Sequence, residues 1–226
     1  MSDDAVLDLF GGQPVPSREE YVLAQGFRRK PSYCMSMLPD ERMWPVELDA
    51  ASDYSANAVF IDRNLVFAVA QRVVGDLNDP WAAPQLHAAI TFWGAPPGQS
   101  TSRAVKPLAA DRVSERLTAA IKLVRGEGAR SAYKALGRRQ RLWVSGLGPS
   151  YFTKLLYFAG YGAKPFMPQP LIMDDNVVNG LTATTGRPWQ ATADDYLAYL
   201  DLAKDWAVEL ETEPDVIERR LFALGS

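Results

Sequence analysis

The residues most able to do chemistry fall into two short stretches. The first, Gly146-Leu147-Gly148-Pro149-Ser150, reads as a turn between two helices, with Lys154 one turn beyond Ser150 on the second helix. Glycine permits positive φ and lets another backbone come close, which a tight turn between helices needs. The N–H groups that open the second helix, at the positive end of its dipole, make a seat for a phosphate. Leu147 should point inward and pin the two helices together. A plain helical hairpin with a glycine cap accounts for the same residues. The second stretch, Asp174-Asp175-Asn176, opens a predicted helix over 175–181. A carboxylate there can cap the helix, and the helix N-terminus favours its charged form.

Scarcity excludes other chemistries. The lone histidine, His87, rules out multi-histidine metal sites and weakens a serine hydrolase reading; its apolar surroundings point to a structural role. The lone cysteine, Cys34, excludes an internal disulfide and a cysteine-built metal site. No metal is expected. Hydrophobic residues make up 47% and charged residues 23% of the 226, as in an ordinary globular protein. No apolar run reaches the roughly 18 residues of a membrane span. The opening Met1-Ser2-Asp3-Asp4 is acidic, unlike a signal peptide, so a bacterial cytoplasmic location is expected. The net charge of -3 hides an uneven distribution. Positions 103–141 hold eleven Lys or Arg against three acids, and positions 194–220 hold nine acids against three bases. One strongly positive face would suit phosphates, and two oppositely charged solvated surfaces would explain the counts equally well.

The elements that must position these residues are helical. Ser17-Arg18-Glu19-Glu20 is a capping box opening a short helix within a proline-punctuated region. A buried helix after Asn64 ends near Gly75. Asp79-Pro80 starts another that runs to about Trp93 and is broken by Ala95-Pro96-Pro97-Gly98. Asp111 should cap a helix ending at Gly126-Glu127-Gly128. The next helix is predicted over 131–144, carrying Lys134, Arg138, Arg139 and Arg141, and is stopped by Gly146-Leu147-Gly148. Pro149 opens its successor, Thr192 starts a long amphipathic helix to about Glu211, and Pro214 opens the last. Strand-like alternation is nearly absent, Leu171-Ile172-Met173 being the best candidate. The predicted fold class is all-α. Residues 1–55 are expected to be an extension packed on a core unit of residues 56–226.

The hairpin and aspartate stretches together resemble the helix-hairpin-helix DNA glycosylases, and within them the bacterial 8-oxoguanine-glycosylase-like proteins. Gly148-Pro149-Ser150-Tyr151-Phe152-Thr153-Lys154 through Phe158, followed by Met173-Asp174-Asp175-Asn176-Val177, carries the resemblance over about residues 140–181. The final 214–222 helix supports it more weakly, and the first 60 or so residues carry no motif of the family. The resemblance implies a helix-hairpin-helix glycosylase fold. It implies that Asp174 is the catalytic carboxylate, stabilising the cationic sugar and orienting or deprotonating water after the base has been flipped out. Asp175 and Asn176 would stand behind it, Asp175 as a cap of the helix or as a support to Asp174. Where this family has an attacking lysine in the hairpin, this chain has Ser150, which implies base removal without strand nicking. Lys154 is the one substitute amine within a turn, and otherwise reads as a snorkelling lysine or phosphate contact. Gln71 and Asn64 are the candidates for a wedge filling the flipped base's place, although a cap or surface amide is the simpler reading.

The expected function is a monofunctional DNA N-glycosylase that flips out a modified or damaged base and leaves an abasic site. Gly146, Leu147, Gly148 and Ser150 would sit on a phosphate, and Arg138, Arg139 and Arg141 would lie along the backbone of double-stranded DNA. The candidate substrates are a bulky modified base of phage DNA, in antiviral defence, or 8-oxoguanine, in repair. No cofactor is implied, and the single cysteine excludes a four-cysteine iron–sulfur site. A monovalent cation on the hairpin carbonyls remains open. No protein or membrane partner is expected. The alternatives are a non-catalytic helix-hairpin-helix DNA-binding module and an α-helical protein-interaction domain.

Overall fold

The computed structural model of the chain describes residues 9–96, 98–163 and 168–226; the acidic opening at positions 1–4 and Pro97 of the predicted break lie outside them. Helices dominate, as expected. A π-helical turn at Glu19–Leu23 comes first, with Ser17 Oγ accepting the Glu20 N–H. Strand β1 (Gly26–Arg29) leads into α1 (Pro31–Met37) and α2 (Val46–Ala50), and β2 (Val59–Asp62) returns to pair with β1. The register is antiparallel, with Phe27 opposite Ile61 and Arg28 opposite Phe60. This two-stranded sheet is absent from the sequence reading. Each strand is only four residues long, too short for alternation to stand out.

Helix α3 (Arg63–Gly75) starts directly from β2, with Asp62 accepting the Leu65 N–H at 2.7 Å. Helix α4 (Ala82–Gly94) is buried on every side from Ala82 to Trp93, which makes it the central rod of the core. Its C-terminal carbonyls would be orphaned in the interior. Arg29 of β1 supplies the donors, bonding the carbonyls of Phe92, Trp93 and Ala95 at 2.6, 3.2 and 3.1 Å. The same stretch is tied down by Trp93, whose indole N–H donates to the Gln25 carbonyl. His87 is buried on α4, its Nε2 3.0 Å from the Ala104 carbonyl, and burial lowers its pKa.

After α5 (Gln99–Val105), α6 (Val113–Glu127) begins differently from expectation. Asp111 does not cap it: the N-cap is Arg112, held at φ 54 without a side-chain cap. The predicted helix over 131–144 is also shorter. Helix α7 (Ala129–Leu136) stops at Gly137, whose N–H closes the helix on the Tyr133 and Lys134 carbonyls while its ψ of 158 turns the chain away. Arg139 follows at φ 63, a left-handed conformation that a helix cannot carry. Arg138, Arg139 and Arg141 therefore lie in turns, not on a helix face.

Helix α8 (Pro149–Gly160) is buried from Phe152 to Gly160. Leu171–Met173 is buried and pairs with no strand, as expected of a segment too short to build a sheet. Side chains satisfy its backbone instead. The hydroxyls of Tyr196 and Tyr199 donate to the Leu171 and Ile172 carbonyls, and Thr153 Oγ1 accepts the Met173 N–H at 3.1 Å. Two tyrosines of α10 (Ala193–Glu209) and one threonine of α8 thus hold the segment leading to Asp174. Helix α9 (Asp175–Thr185) then packs closely on α11 (Pro214–Leu224). The early residues are tied to the rest by Arg18–Asp215 and Glu47–Arg72 ion pairs at 2.8 and 2.6 Å.

Candidate active site

Asp174 stands where the extended segment turns into α9. One carboxylate oxygen accepts the Val177 N–H at 3.2 Å and caps the helix, while the other lies 2.8 Å from Lys154 Nζ. The carboxylate thus joins the N-terminus of α9 to the amine of α8. Lys154 also donates to the Ser150 carbonyl at 2.9 Å, and its side chain is only 6% exposed. It is therefore neither a snorkelling lysine nor a surface phosphate contact. Its stem runs past Gly94 and its amine is fixed against the aspartate.

The pair lines a crevice of about 50 Å³ together with Arg63, Glu218, Trp93, Phe27 and Phe222. Arg63 and Glu218 form a second, fully buried ion pair at 2.6 Å. Arg63 Nε donates to Gln25 Oε1 at 3.0 Å, and its guanidinium stacks 5.0 Å from the Trp93 ring centroid. Burial pushes the Glu218 carboxyl upward, with Arg63 opposing and Asp174 and Asp215 adding to the rise. Two positive and two negative groups thus meet in one small crevice. At about 50 Å³ it has room for only a few waters.

Sequence reasoning missed Arg63 and Glu218. They are 155 positions apart, and an arginine heading an apolar helix looks like a surface residue until the fold buries it.

The glycine turn is formed, with differences. Gly146 adopts φ 84, a conformation that side chains disfavour, but Gly148 is extended at φ -85 and needs no glycine on that account. Leu147 is buried, and its N–H donates to the Val144 carbonyl. Gly146 and Gly148 are exposed and Ser150 is half-buried at the start of α8. The turn does not join two long helices directly, because positions 137–148 are a chain of turns anchored by Arg116 on the Trp143 carbonyl. Beside it lies a cleft of about 780 Å³ with Tyr133, Trp143, Leu147 and Phe152 in its lining and Lys134 and Arg138 among its polar groups. Arg138, Arg139 and Arg141 are all exposed.

The remaining candidates sit apart from the crevice. Asn64 and Gln71 are exposed on α3 and do not line it. Asp175 is exposed in the first turn of α9, where the cap is Asp174, so the expected capping by Asp175 is corrected. Asn176 reaches the other way, donating to Ser226 Oγ at 3.2 Å. Among the described residues no group of His, Cys, Asp or Glu is arranged to hold a metal ion, and no helix is long and apolar enough to cross a membrane.

No match is found among curated proteins or solved structures. The family model described as "Putative 8-oxoguanine DNA glycosylase OGG-like protein" matches residues 20–222, which takes in β1, the hairpin, Asp174 and all but the end of α11. With nearly its whole length covered, the chain belongs to this OGG-like family of DNA glycosylases.

Proposed function

We propose that the chain hydrolyses the N-glycosidic bond of a modified base in double-stranded DNA, with Asp174 as the catalytic carboxylate, and leaves an abasic site without nicking the strand. The observation that carries this reading is the buried Lys154–Asp174 pair at the head of α9. Its carboxylate is fixed by two donors and faces a crevice, as a group meant to oppose a cationic sugar should be. As the bond to the base breaks, its electron pair leaves with the base. Water adds to the anomeric carbon and gives its proton to Asp174. Lys154 acts as a positioning residue, since its amine is engaged by Asp174 and the Ser150 carbonyl. The Gly146–Ser150 turn, exposed at its two glycines, receives a phosphate, and the arginine turn follows the backbone.

One observation favours a second reading. An amine 2.8 Å from the carboxylate could pass a proton to Asp174 and attack the sugar itself, giving a Schiff base and strand cleavage. Borohydride trapping separates the two: the hydrolytic reading expects no covalent protein–DNA adduct. An adduct that disappears in Lys154→Ala overturns it in favour of the lysine.

For the base, the family's name points to 8-oxoguanine. Arg63 and Glu218 are spent on each other, on Gln25 and on Tyr157, so they do not choose the base. Ser150 in place of the hairpin lysine departs from the 8-oxoguanine enzymes and favours a bulky modified base of phage DNA. Mass spectrometry of bases released from an 8-oxoguanine duplex and from modified phage DNA decides between them. The modified-base reading expects release from the phage DNA and none from the duplex, together with protection of cells only against phages carrying that base.

A further inference from the structure

The early part of the chain carries an unassigned feature beside the crevice. All four exposed large aromatics among the described residues, Phe27, Tyr33, Tyr54 and Phe60, lie between positions 27 and 60. They are 42–53% exposed. Tyr54 is tied to Asp49 among acids, whereas Phe27 and Tyr33 flank a basic run. Positions 25–39 hold Arg28, Arg29 and Lys30 and no acid. Arg29 is spent on the end of α4, whereas Arg28 and Lys30 are exposed. Beside them lies a hollow of about 420 Å³ lined by Arg28, Lys30, Tyr33 and Asn57 among others, with no acid in its lining.

Position along β1 gives this patch its meaning. Phe27 lines the Asp174 crevice, and the next three residues line the hollow. At about 3.3 Å per residue, Phe27 and Lys30 are roughly 10 Å apart along the chain. That matches about three nucleotide steps of roughly 3.4 Å each.

We propose that the surface formed by β1 and the start of α1 is a second DNA-binding site, which takes the strand leaving the crevice. Arg28 and Lys30 neutralise its phosphates, and Tyr33 stacks on a base one to three nucleotides from the target. This inference rests on the glycosylase reading. It commits to a nucleic-acid strand because basic and aromatic groups without acids suit phosphates and bases together, and because the patch runs into the crevice.

The test is duplex binding by the full chain across a salt series, comparing wild type with Arg28→Ala/Lys30→Ala and with Tyr33→Ala. The double variant should lower the salt slope by about two, and Tyr33→Ala should weaken binding by about tenfold with little change in slope. Urea midpoints equal to wild type show that the variants fold. Wild-type affinity and slope in both variants overturn the second site. A change of oligomeric state in the variants with unchanged DNA binding also overturns it, and assigns the patch to contact between copies of the chain. A wild type that binds no duplex overturns the glycosylase reading itself.

Discussion

Asp174 has two structural duties, capping α9 and neutralising Lys154, and they respond differently to substitution. Asp174→Asn keeps a capping side chain and removes the charge. Base release should fall by at least about 10²–10⁴-fold, measured in single-turnover assays, while duplex affinity stays within a few-fold. The same change strands the Lys154 ammonium at 6% exposure. Breaking a buried pair on one side costs about 3–5 kcal/mol, so Asp174→Asn should also lower the urea-unfolding free energy by roughly that amount. Asp174→Asn combined with Lys154→Met should recover most of the stability and none of the activity. Equal losses of stability in the single and double variants would show that the pair is not what links the two residues. If Asp174→Asn keeps its activity and Asp175→Asn loses it, the catalytic carboxylate is the neighbour, although its exposure argues otherwise.

At the scale of elements, the head of α9 is only as well placed as the packing behind it. An added Cβ at Gly180 would collide with the Leu221 backbone of α11, and neither backbone can yield without shifting a helix. Gly180→Ala should cost about 1–3 kcal/mol or more in urea unfolding and reduce base release, because moving α9 moves Asp174. Retained stability would mean that α9 and α11 tolerate wider spacing. A glycine inside a predicted helix shows none of this in the sequence, since only the fold brings Leu221 to it. The same limit explains what was and was not legible. Helices α3, α8, α10 and α11 announce themselves through caps, prolines or apolar spacing, all of them local signals, whereas α4 starts at Ala82 from an uncapped Trp81 and not from the expected Asp79-Pro80. Asp174 and the Gly146 turn were legible because each depends on a short motif. The β1–β2 pair, the end of α7 and the burial of Lys154 and Arg63 depend on contacts between distant segments. Losing the predicted helix over 131–144 also relocates three arginines to an exposed turn. If this turn follows the DNA backbone, replacing Arg138, Arg139 and Arg141 by Ala should reduce the salt slope of binding by about three. Normal binding by the triple variant places the DNA face elsewhere.

For the whole molecule, the buried thiol and phenols set an alkaline limit on stability. Burial pushes the Cys34 thiol up to about 11 and the Tyr133 phenol up to about 12. Tyr157 and Tyr199, whose hydroxyls hold the ion-pair network and the segment before Asp174, are also raised well above the usual range, chiefly by burial. In the unfolded chain the thiol ionises near about 8.5 and the phenols near about 10. Above those values the unfolded state loses protons that the native state keeps, so unfolding becomes more favourable as pH rises. The contribution of Cys34 is fully present below about pH 8.5 and is lost as pH climbs through about 11; that of Tyr133 is lost through about 12. The urea midpoint should therefore be lower at about pH 10.5 than at about pH 8, and Cys34→Ala should remove the thiol's share of the fall. Native Cys34 should also resist alkylation at about pH 9, where an exposed thiol reacts readily, and become reactive only with unfolding. A midpoint that does not fall between the two pH values, or rapid alkylation of the native chain, would mean that these groups meet water in the folded state. The segment that carries Asp174 would then be held less firmly than the Tyr196 and Tyr199 hydrogen bonds indicate.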